Sequence, residues 1–447
     1  MKKESVESTG LARAARRAAA SMAVAVLALS AGTSMGMVND DPVQLRLWTV
    51  APKLNRDGYQ AVIDRYRAAH PEVEIALEYT ESEAFLRTYK LVMSSDSAPD
   101  IIECPQGQSV MGPLVAAGLV IPLEPYAAQY GWTDRLSPSL VNQARMSDDG
   151  RSYGSGTLYG LPISGNVIGL YYNRAKAQAL GIDPEAFATM ADVDAALAAA
   201  KEAGEVPLMM GNVDGDPLAK LWEGVVSAHA VPEAKRAFVY GRAGARIDTP
   251  GVLAATQHVR DWVEETYIYR GAPGLGRDDG VARFARGEGV FMGQGTWYQG
   301  TLAEAMGDNV GFVLFPPAEA GAEPRASGSA EKPFCISSKS RHPEIAADLI
   351  DFFGRPENAQ ILYDASLLPI APAEVDGDLP IAGQVLEAWT AVLGAGEGGG
   401  LTLHTDWATS SMGRTLNGGL QELYGGRIDS AALLARMQHD WAGAYAQ

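Results

Sequence analysis

The chain after residue 42 alternates between strand-like and helix-like hydrophobic patterns, and this alternation constrains the fold more than any other feature. Segments 43–48 and 73–79 alternate apolar and polar residues, whereas 59–66 places its large apolar residues on one helical face. A second helix pattern covers 83–93, and a short apolar strand pattern covers 100–103. This β-α-β-α-β order predicts a parallel sheet with helices on both faces.

The carboxyl ends of these predicted strands carry polar and aromatic side chains. Ligands of open parallel sheets bind outside the carboxyl ends of the strands. In this sequence Trp48 ends the first strand, Glu81 follows the second, and Glu103 and Gln106 lie at the end of the third. We therefore expect these four residues at one edge of the sheet, facing a ligand.

The first 36 residues are predicted to be a signal peptide and not part of the fold. Basic residues up to position 17 precede an apolar stretch at 18–31, which is shorter than the roughly 20 residues of a membrane-spanning helix. Segment 29–32, Leu-Ser-Ala-Gly, is similar to a lipoprotein box, but Thr33 stands where the acylated Cys belongs. We expect an exported protein, periplasmic or extracellular and associated with the cell envelope.

Charge and cysteine content limit the partners. The formal net charge of −18 over 447 residues disfavours nucleic acid and anionic membranes, because both need a basic patch. The two cysteines, Cys104 and Cys335, could pair in an oxidising compartment or remain buried free thiols. The sequence leaves both states open.

Three phrases appear along the chain in a fixed order. They are Ala-Pro-Asp-Ile-Ile-Glu at 98–103, Tyr-Gly-Leu-Pro at 159–162 with Tyr-Tyr-Asn-Arg at 171–174, and the segment 284–292 leading into Gly-Thr-Trp-Tyr at 295–298. With these phrases the chain resembles the family 1 extracellular solute-binding proteins of ABC importers, the maltose-binding-like group. Members of that family bind mostly mono- and oligosaccharides.

The resemblance implies an α/β fold of the periplasmic-binding-protein kind, type II-like. Each of its two lobes would be a mostly parallel sheet flanked by helices, and the chain would cross several times between them at a hinge. The first lobe would hold residues 42–165 plus 316–369, and the second 166–315 plus 370–447. The resemblance also places the strands that carry Cys104 and Cys335 side by side and antiparallel.

Candidate ligand contacts follow from the strand ends and from the resemblance. Sugars have apolar faces that stack on aromatic rings, and hydroxyl groups that pair with carboxylates and amides. The helix pattern around Trp222 fits core packing as well as a ligand contact, and Glu81 and Arg325 fit solvated loops as well. The candidates are Trp48, Glu81, Glu103, Gln106, Asn166, Trp222, Gly295, Trp297, Arg325, Asp406 and Trp407.

The expected function is that of a carrier, with a carbohydrate ligand, an ABC permease as partner, no cofactor, and a monomeric state. An exported carbohydrate-active hydrolase or lyase is the alternative. A weaker alternative is a binding protein for a non-sugar such as a polyamine or a metal complex. The carrier predicts binding without products, whereas the enzyme predicts turnover of an oligosaccharide.

Two short motifs in the sequence imitate functional sites. Gly-Arg-Ser-Tyr-Gly at 150–154 has the spacing of a hydrolase nucleophile elbow but lacks the flanking strand and helix. Segment 212–223 has the acidic spacing of a calcium loop, but its sixth residue is Pro217 instead of Gly. We interpret the first as a surface turn and the second as the start of a helix.

Overall fold

A computed structural model describes residues 42–371, 373–375, 380–395 and 400–445. The predicted signal peptide, residues 1–36, lies outside these residues, as do positions 396–399 of the Gly-rich stretch near residue 400. Within the described ranges, no helix is both long enough and apolar enough to cross a membrane.

Ten strands form in the described residues. They are β1 (Val43–Thr49), β2 (Val73–Tyr79), β3 (Ile101–Glu103), β4 (Arg145–Met146), β5 (Thr157–Leu158), β6 (Gly165–Asn173), β7 (Phe291–Gly295), β8 (Val310–Val313), β9 (Gly328–Ala330) and β10 (Phe334–Ile336).

The described residues also form eighteen α-helices. They are α1 (Lys53–Ala69), α2 (Ser82–Ser94), α3 (Met111–Ala116), α4 (Glu124–Tyr130), α5 (Trp132–Arg135), α6 (Pro138–Val141), α7 (Arg174–Ala179), α8 (Met190–Glu202), α9 (Asp216–His229), α10 (Pro232–Val239), α11 (Pro250–Glu264), α12 (Arg277–Ala285), α13 (Gln299–Met306), α14 (Pro343–Phe353), α15 (Ala359–Asp364), α16 (Pro380–Gly394), α17 (Met412–Tyr424) and α18 (Ser430–Tyr445).

The first sheet has the strand order β10-β3-β1-β2. Strands β2 and β3 both run parallel to β1, as the alternating sequence pattern predicts. Strand β10 joins β3 antiparallel, with Cys335 opposite Ile102. This confirms that the strands of the two cysteines are neighbours, and both Cys104 and Cys335 are buried free thiols.

Helix α1 shows how the apolar period builds the core of this half. Its buried face includes Tyr59 and Tyr66, as the helix pattern predicts. The Tyr59 ring packs edge-on against Phe334 of β10, at 5.5 Å between ring centroids, and against Phe353 of α14 at 5.7 Å. The chain after residue 330 therefore returns to the core formed by the N-terminal segment.

The second sheet is antiparallel, which corrects the expectation of mostly parallel strands in both halves. Its order is β7-β6-β8, with β9 also paired to β6, and all of these pairings are antiparallel. The Asn173 N–H, at the end of β6, donates to the Val290 carbonyl just before β7 at 2.8 Å. The chain between β6 and β7 therefore leaves the sheet and re-enters it at the same end. As a consequence, β7 runs antiparallel to β6.

Three chain segments lie side by side between the two sheets. Leu161 forms an antiparallel bridge with Phe334, and Gly165 pairs with Ala330 and with Leu368. Strand β9 pairs with β6 of the second sheet, and β10 pairs with β3 of the first. The change from one sheet to the other falls between Ala330 and Phe334.

Candidate ligand-binding site

Three aromatic rings from two distant chain segments meet near the second sheet. The His404 ring lies 5.0 Å from Trp407 at an interplanar angle of 73°, and 6.5 Å from Trp297 at 58°, measured between ring centroids. His404 is buried, whereas both tryptophans are half-buried. Partly exposed indole faces beside a buried polar ring suit a ligand that has both apolar faces and hydroxyl groups.

Gly295 allows the Trp297 ring to fold back on the end of β7. A Cβ at position 295 would come within 2.1 Å of the Trp297 ring, so a side chain there would displace the indole. The Tyr171 hydroxyl donates to the Gly295 carbonyl at 3.0 Å. The sequence motif at 295–297 thus fixes the position of the ring through a close approach that only glycine permits.

Trp407 is held by the loop after β3. The Gln108 N–H donates to the Trp407 carbonyl at 3.2 Å. A Cβ at Gly107 would come within 2.6 Å of that carbonyl oxygen. The Tyr153 ring also approaches Trp407 edge-on, at 6.4 Å and 82°.

Asn166 links these rings to the crossing segment after β9. Its amide nitrogen donates to Ser329 Oγ and to Glu331 Oε1, each at 3.0 Å. Its amide oxygen lies 3.4 Å from His404 Nε2. Lys332 Nζ lies 3.4 Å from Glu331 Oε2, so a buried amide, a carboxylate and an ammonium group follow one another along this edge.

A buried ion pair positions the segment that carries His404 and Trp407. Lys235 Nζ donates to Glu223 Oε2 at 2.8 Å and to the Leu403 carbonyl at 3.0 Å. The Thr405 N–H donates to Glu223 Oε1 at 2.6 Å. Although burial opposes it, Lys235 holds the pKa of Glu223 below its ordinary value.

Leu403, one residue before His404, has a φ of 58°. This left-handed conformation is strained for a residue with a Cβ and persists only where the surroundings impose it. Here the Leu403 side chain is buried and its carbonyl accepts the Lys235 bond described above. The geometry of the segment is therefore set by tertiary contacts.

His404 is a neutral imidazole in this setting. Burial, reinforced by Lys220, lowers its pKa to about 3. One ring nitrogen lies 3.4 Å from Ser327 Oγ and the other 3.4 Å from Asn166 Oδ1. A neutral ring of this kind can donate one hydrogen bond and accept another.

Asp406 has an unusual environment for a carboxylate. Its Oδ1 atom is buried and has no hydrogen-bond partner among the described residues. Burial raises the pKa of Asp406, and Lys220 lowers it in part. Since a buried acceptor without a partner is costly, this oxygen is available to a ligand.

Two other predicted ligand contacts, Glu103 and Trp48, form hydrogen bonds within the first half of the molecule. Glu103 is buried, and its carboxylate accepts from Thr49 Oγ1 at 2.6 Å, from the Val50 N–H at 2.7 Å and from the Tyr59 hydroxyl at 3.0 Å. Trp48 Nε1 donates to Thr80 Oγ1 at 2.8 Å. Because the Glu103 bonds join β1, α1 and β3, and the Trp48 bond joins β1 to the residue after β2, both side chains stabilise the first sheet independently of any role in ligand binding.

The remaining candidates differ widely in exposure. Gln106 is buried and donates to the Ala330 carbonyl at 2.6 Å, and Glu81 is exposed. Arg325 donates to the Ala230 carbonyl at 3.0 Å. Trp222 has no exposed surface and its indole N–H donates to Thr256 Oγ1 at 2.9 Å, so the structure places it in the core and not at the site.

Sequence reasoning missed six polar residues that the fold brings to this region. Lys220 and Glu223 lie in the calcium-like segment 212–223, and the other four carried no motif. They are Lys220, Glu223, Lys235, Glu331, Lys332 and His404. Their positions along the chain do not indicate a common site, because these residues become neighbours only when the segments fold together.

The calcium-like segment forms the start of α9. Arg277 binds Asp214 at 3.0 Å and Asp216 at 3.5 Å. Within the described ranges, no group of three or more His, Cys, Asp or Glu side chains could hold a metal ion. Gly154, in the serine motif, lies instead against the Tyr240 ring.

Comparisons with known proteins agree with this architecture. In sequence, the chain is 21% identical over 343 residues to the melibiose/raffinose/stachyose-binding protein MelE of Bacillus subtilis, covering 74% of each. In structure, it is similar to a chitin oligosaccharide binding protein, with a TM-score of 0.75 and 23% identity over 91% of this chain and 100% of the other. It is also similar to RafE in complex with raffinose, with a TM-score of 0.69 and 17% identity over 90% of this chain and 100% of RafE.

A comparison with protein families also covers most of the described residues. The model of the bacterial extracellular solute-binding protein family matches residues 53–360. That match contains every strand of the two sheets except β1, and it contains Trp297, whereas the bridged segment at Leu368 lies beyond its end. The chain belongs to the bacterial extracellular solute-binding protein family.

Proposed function

We propose that this protein is the solute-binding component of an ABC importer and that it captures a sugar or oligosaccharide for delivery to a membrane permease. The observation that carries the proposal is the group of half-buried indoles, Trp297 and Trp407, around the buried polar ring of His404. Family membership and the sugar-binding relatives support the same assignment. The protein is a carrier and not an enzyme in this proposal.

Capture depends on two lobes closing over the ligand. We assign the first sheet and the second sheet to different lobes, with the hinge at the three bridged segments that include Leu161, Gly165 and Leu368. The contacts of Trp407 with Gly107 and Tyr153 then lie across the cleft. A ligand shifts such an equilibrium only by binding the closed form better than the open form.

The test is a thermal-shift and calorimetric screen over raffinose, stachyose, xylobiose, maltotriose and a chitin disaccharide. A sugar at 100 times its Kd stabilises the folded protein by about 2.7 kcal/mol. Trp297→Ala should abolish the shift while the unliganded protein stays folded, and Trp297→Phe should retain part of the affinity because a ring remains. Recovery of the bound sugar by chromatography completes the test. Cleaved sugar, or no binding across the screen, contradicts the proposal.

A further inference from the structure

Two histidine rings join the end of helix α9 to α11. His229 Nε2 lies 3.2 Å from His258 Nδ1, and the ring planes cross at 75° with their centroids 5.4 Å apart. The backbone of His229 also lies against the start of α11, because a Cβ at Gly251 would come within 2.4 Å of the His229 carbonyl oxygen. The two helices therefore meet at this end through a pair of rings that can titrate.

Asp194 of α8 determines which nitrogen of His258 carries a proton. Its Oδ1 atom lies 2.8 Å from His258 Nε2 and accepts the Trp262 indole N–H at 2.6 Å. Because an ionised carboxylate only accepts hydrogen bonds, His258 donates to Asp194 from Nε2. In the neutral His258 ring Nδ1 is then an acceptor, so His229 donates to it from Nε2.

The hydrogen bond between the rings limits how many protons the pair can hold. One added proton leaves one ring neutral, so one of the two facing nitrogens still accepts and the bond survives. A second added proton places an N–H on both nitrogens, 3.2 Å apart, with no acceptor between them and a positive charge on each ring. Like charges at this separation repel, so the doubly protonated pair is driven apart.

The surroundings let protons reach the pair but disfavour the second one. A surface groove of about 480 Å³ borders His258 and Asp194, whose side chains are 16% and 41% exposed. Burial, and then the charge of His258, lower the pKa of His229, and Asp194 raises it in part. Solvent therefore supplies the protons, while the closed pair resists taking up two.

Other charged groups on the elements packed around the pair have bonds of their own or lie exposed. They are Asp261 with Gln257, Glu265 with Lys201, Glu233 with Arg236, Arg325 with the Ala230 carbonyl, and the exposed Glu319 near Ala228. Asp194 is the carboxylate bonded to the pair, and a single carboxylate neutralises one imidazolium and not two.

We propose that His229 and His258 form an acid-sensitive latch, which holds the end of α9 on α11 with at most one added proton and releases it when both rings are charged. This inference goes beyond the proposed function, since it assigns a response to pH and no ligand. Because the family is extracellular, the latch meets the pH of the medium. A second bond between these helices, from Trp222 Nε1 to Thr256 Oγ1 at 2.9 Å, has no titrating group, so the opening is confined to the end of α9.

The first test measures hydrogen exchange of the protein by mass spectrometry, corrected for the pH dependence of the intrinsic exchange rate. The ordinary pKa of His229 is 6.5, and opening takes up one further proton. Protection of segments 226–232 and 250–258 should therefore fall by about tenfold from pH 7.5 to 5.5, while segment 218–224 keeps its protection. Equal protection of the first two segments at both pH values overturns the inference.

His229→Gln tests whether the second proton causes the opening. Glutamine cannot be charged, and its amide both donates and accepts, so a bond to His258 survives at either pH. This variant should keep its protection at pH 5.5, whereas His439→Gln, at an exposed position of α18, should lose protection as the wild type does. A loss in His229→Gln equal to that of the wild type contradicts the inference.

Nitrogen-15 NMR of the histidine rings in the wild-type protein provides a test that needs no variant. At pH 8 both rings should be neutral with the proton on Nε2, because Asp194 fixes the tautomer of His258 and Nδ1 of that ring fixes the tautomer of His229. A proton on Nδ1 of either neutral ring at pH 8 would be incompatible with the latch.

Discussion

The Tyr240 ring lies directly against the α-carbon of Gly154. A Cβ at position 154 would come within 2.3 Å of Tyr240 Cδ1. Arg242 strengthens the contact by donating to the Gly154 carbonyl and to Ser155 Oγ, both at 3.2 Å. Gly154 lies in the loop between β4 and β5, and Tyr240 follows α10, so in the proposed lobe assignment this contact closes the cleft.

Gly154→Ala is expected to weaken sugar binding by about 10-fold and to speed dissociation, because the added methyl group forces Tyr240 away; tenfold corresponds to about 1.4 kcal/mol. The backbone at Gly154 has a φ of +79°, so alanine also introduces strain of about 1–2 kcal/mol. Stopped-flow tryptophan fluorescence measures the dissociation rate, and calorimetry measures the affinity.

Gly244→Ala is the matched control for that prediction. Gly244 has a φ of +76°, and nothing lies within 4 Å of the position of its Cβ, so the variant carries the strain without the collision. It should lose a similar amount of stability but keep its affinity. Equal losses of affinity in the two variants would refute the role assigned to the Tyr240 contact.

The buried pair of Glu223 and Lys235 should show strong energetic coupling. Lys235→Met leaves a carboxylate buried without its cation, which should cost about 3–5 kcal/mol in the free energy of unfolding. Adding Glu223→Gln should recover part of that loss, since it removes the charge. Urea denaturation of the two single variants and the double variant measures the coupling, and strictly additive losses would argue against it.

His404 should make stability depend on pH in the acid range. Its pKa is about 3 in the folded protein, against an ordinary value of 6.5, so between these values the unfolded chain binds a proton that the folded chain does not. Stability should therefore fall as pH decreases from 6.5 to 3, by up to about 1.4 kcal/mol per pH unit from this residue.

His404→Gln tests this contribution, because glutamine removes the titrating group. The variant should show a flatter loss of stability than the wild type in denaturation series between pH 6.5 and 3. His439→Gln, at an exposed position of α18, is the control and should leave the slope unchanged. Parallel curves for His404→Gln and wild type would contradict the assignment.

The two thiols should be inert in the folded protein. Cys104 and Cys335 are both completely buried, and burial raises the pKa of Cys335 well above its ordinary value. Since the thiolate is the reactive species, a thiol reagent should label neither residue before unfolding and both after it in denaturant. Absence of labelling in denaturant would show that the two cysteines are bonded.

Local patterns predicted the first half of the molecule well. The periods of two and 3.6 in the sequence locate β1, β2 and α2 to within one residue, and the pattern at 59–66 falls inside the longer helix α1, because strand and helix periodicity is carried by neighbouring positions. Helix α14, Pro343–Phe353, buries apolar residues such as Leu349 and Phe353 at the same helical spacing. The direction of β7 relative to β6 was not predictable, since it depends on where a long helical excursion returns.

The candidate binding site likewise combines features that the sequence predicted with features that only the fold produced. The sequence by itself determined the family phrases, the predicted strands of the first sheet, and the placement of Trp297 two residues after Gly295. Only the tertiary structure buried Trp222, saturated Glu103 with three donors, and brought Lys220, His404 and Asp406 into one electrostatic environment. The physical reason is that periodicity records which face of a local element is apolar, whereas burial, pairing and pKa depend on residues that are distant in the chain and become neighbours only when the elements pack.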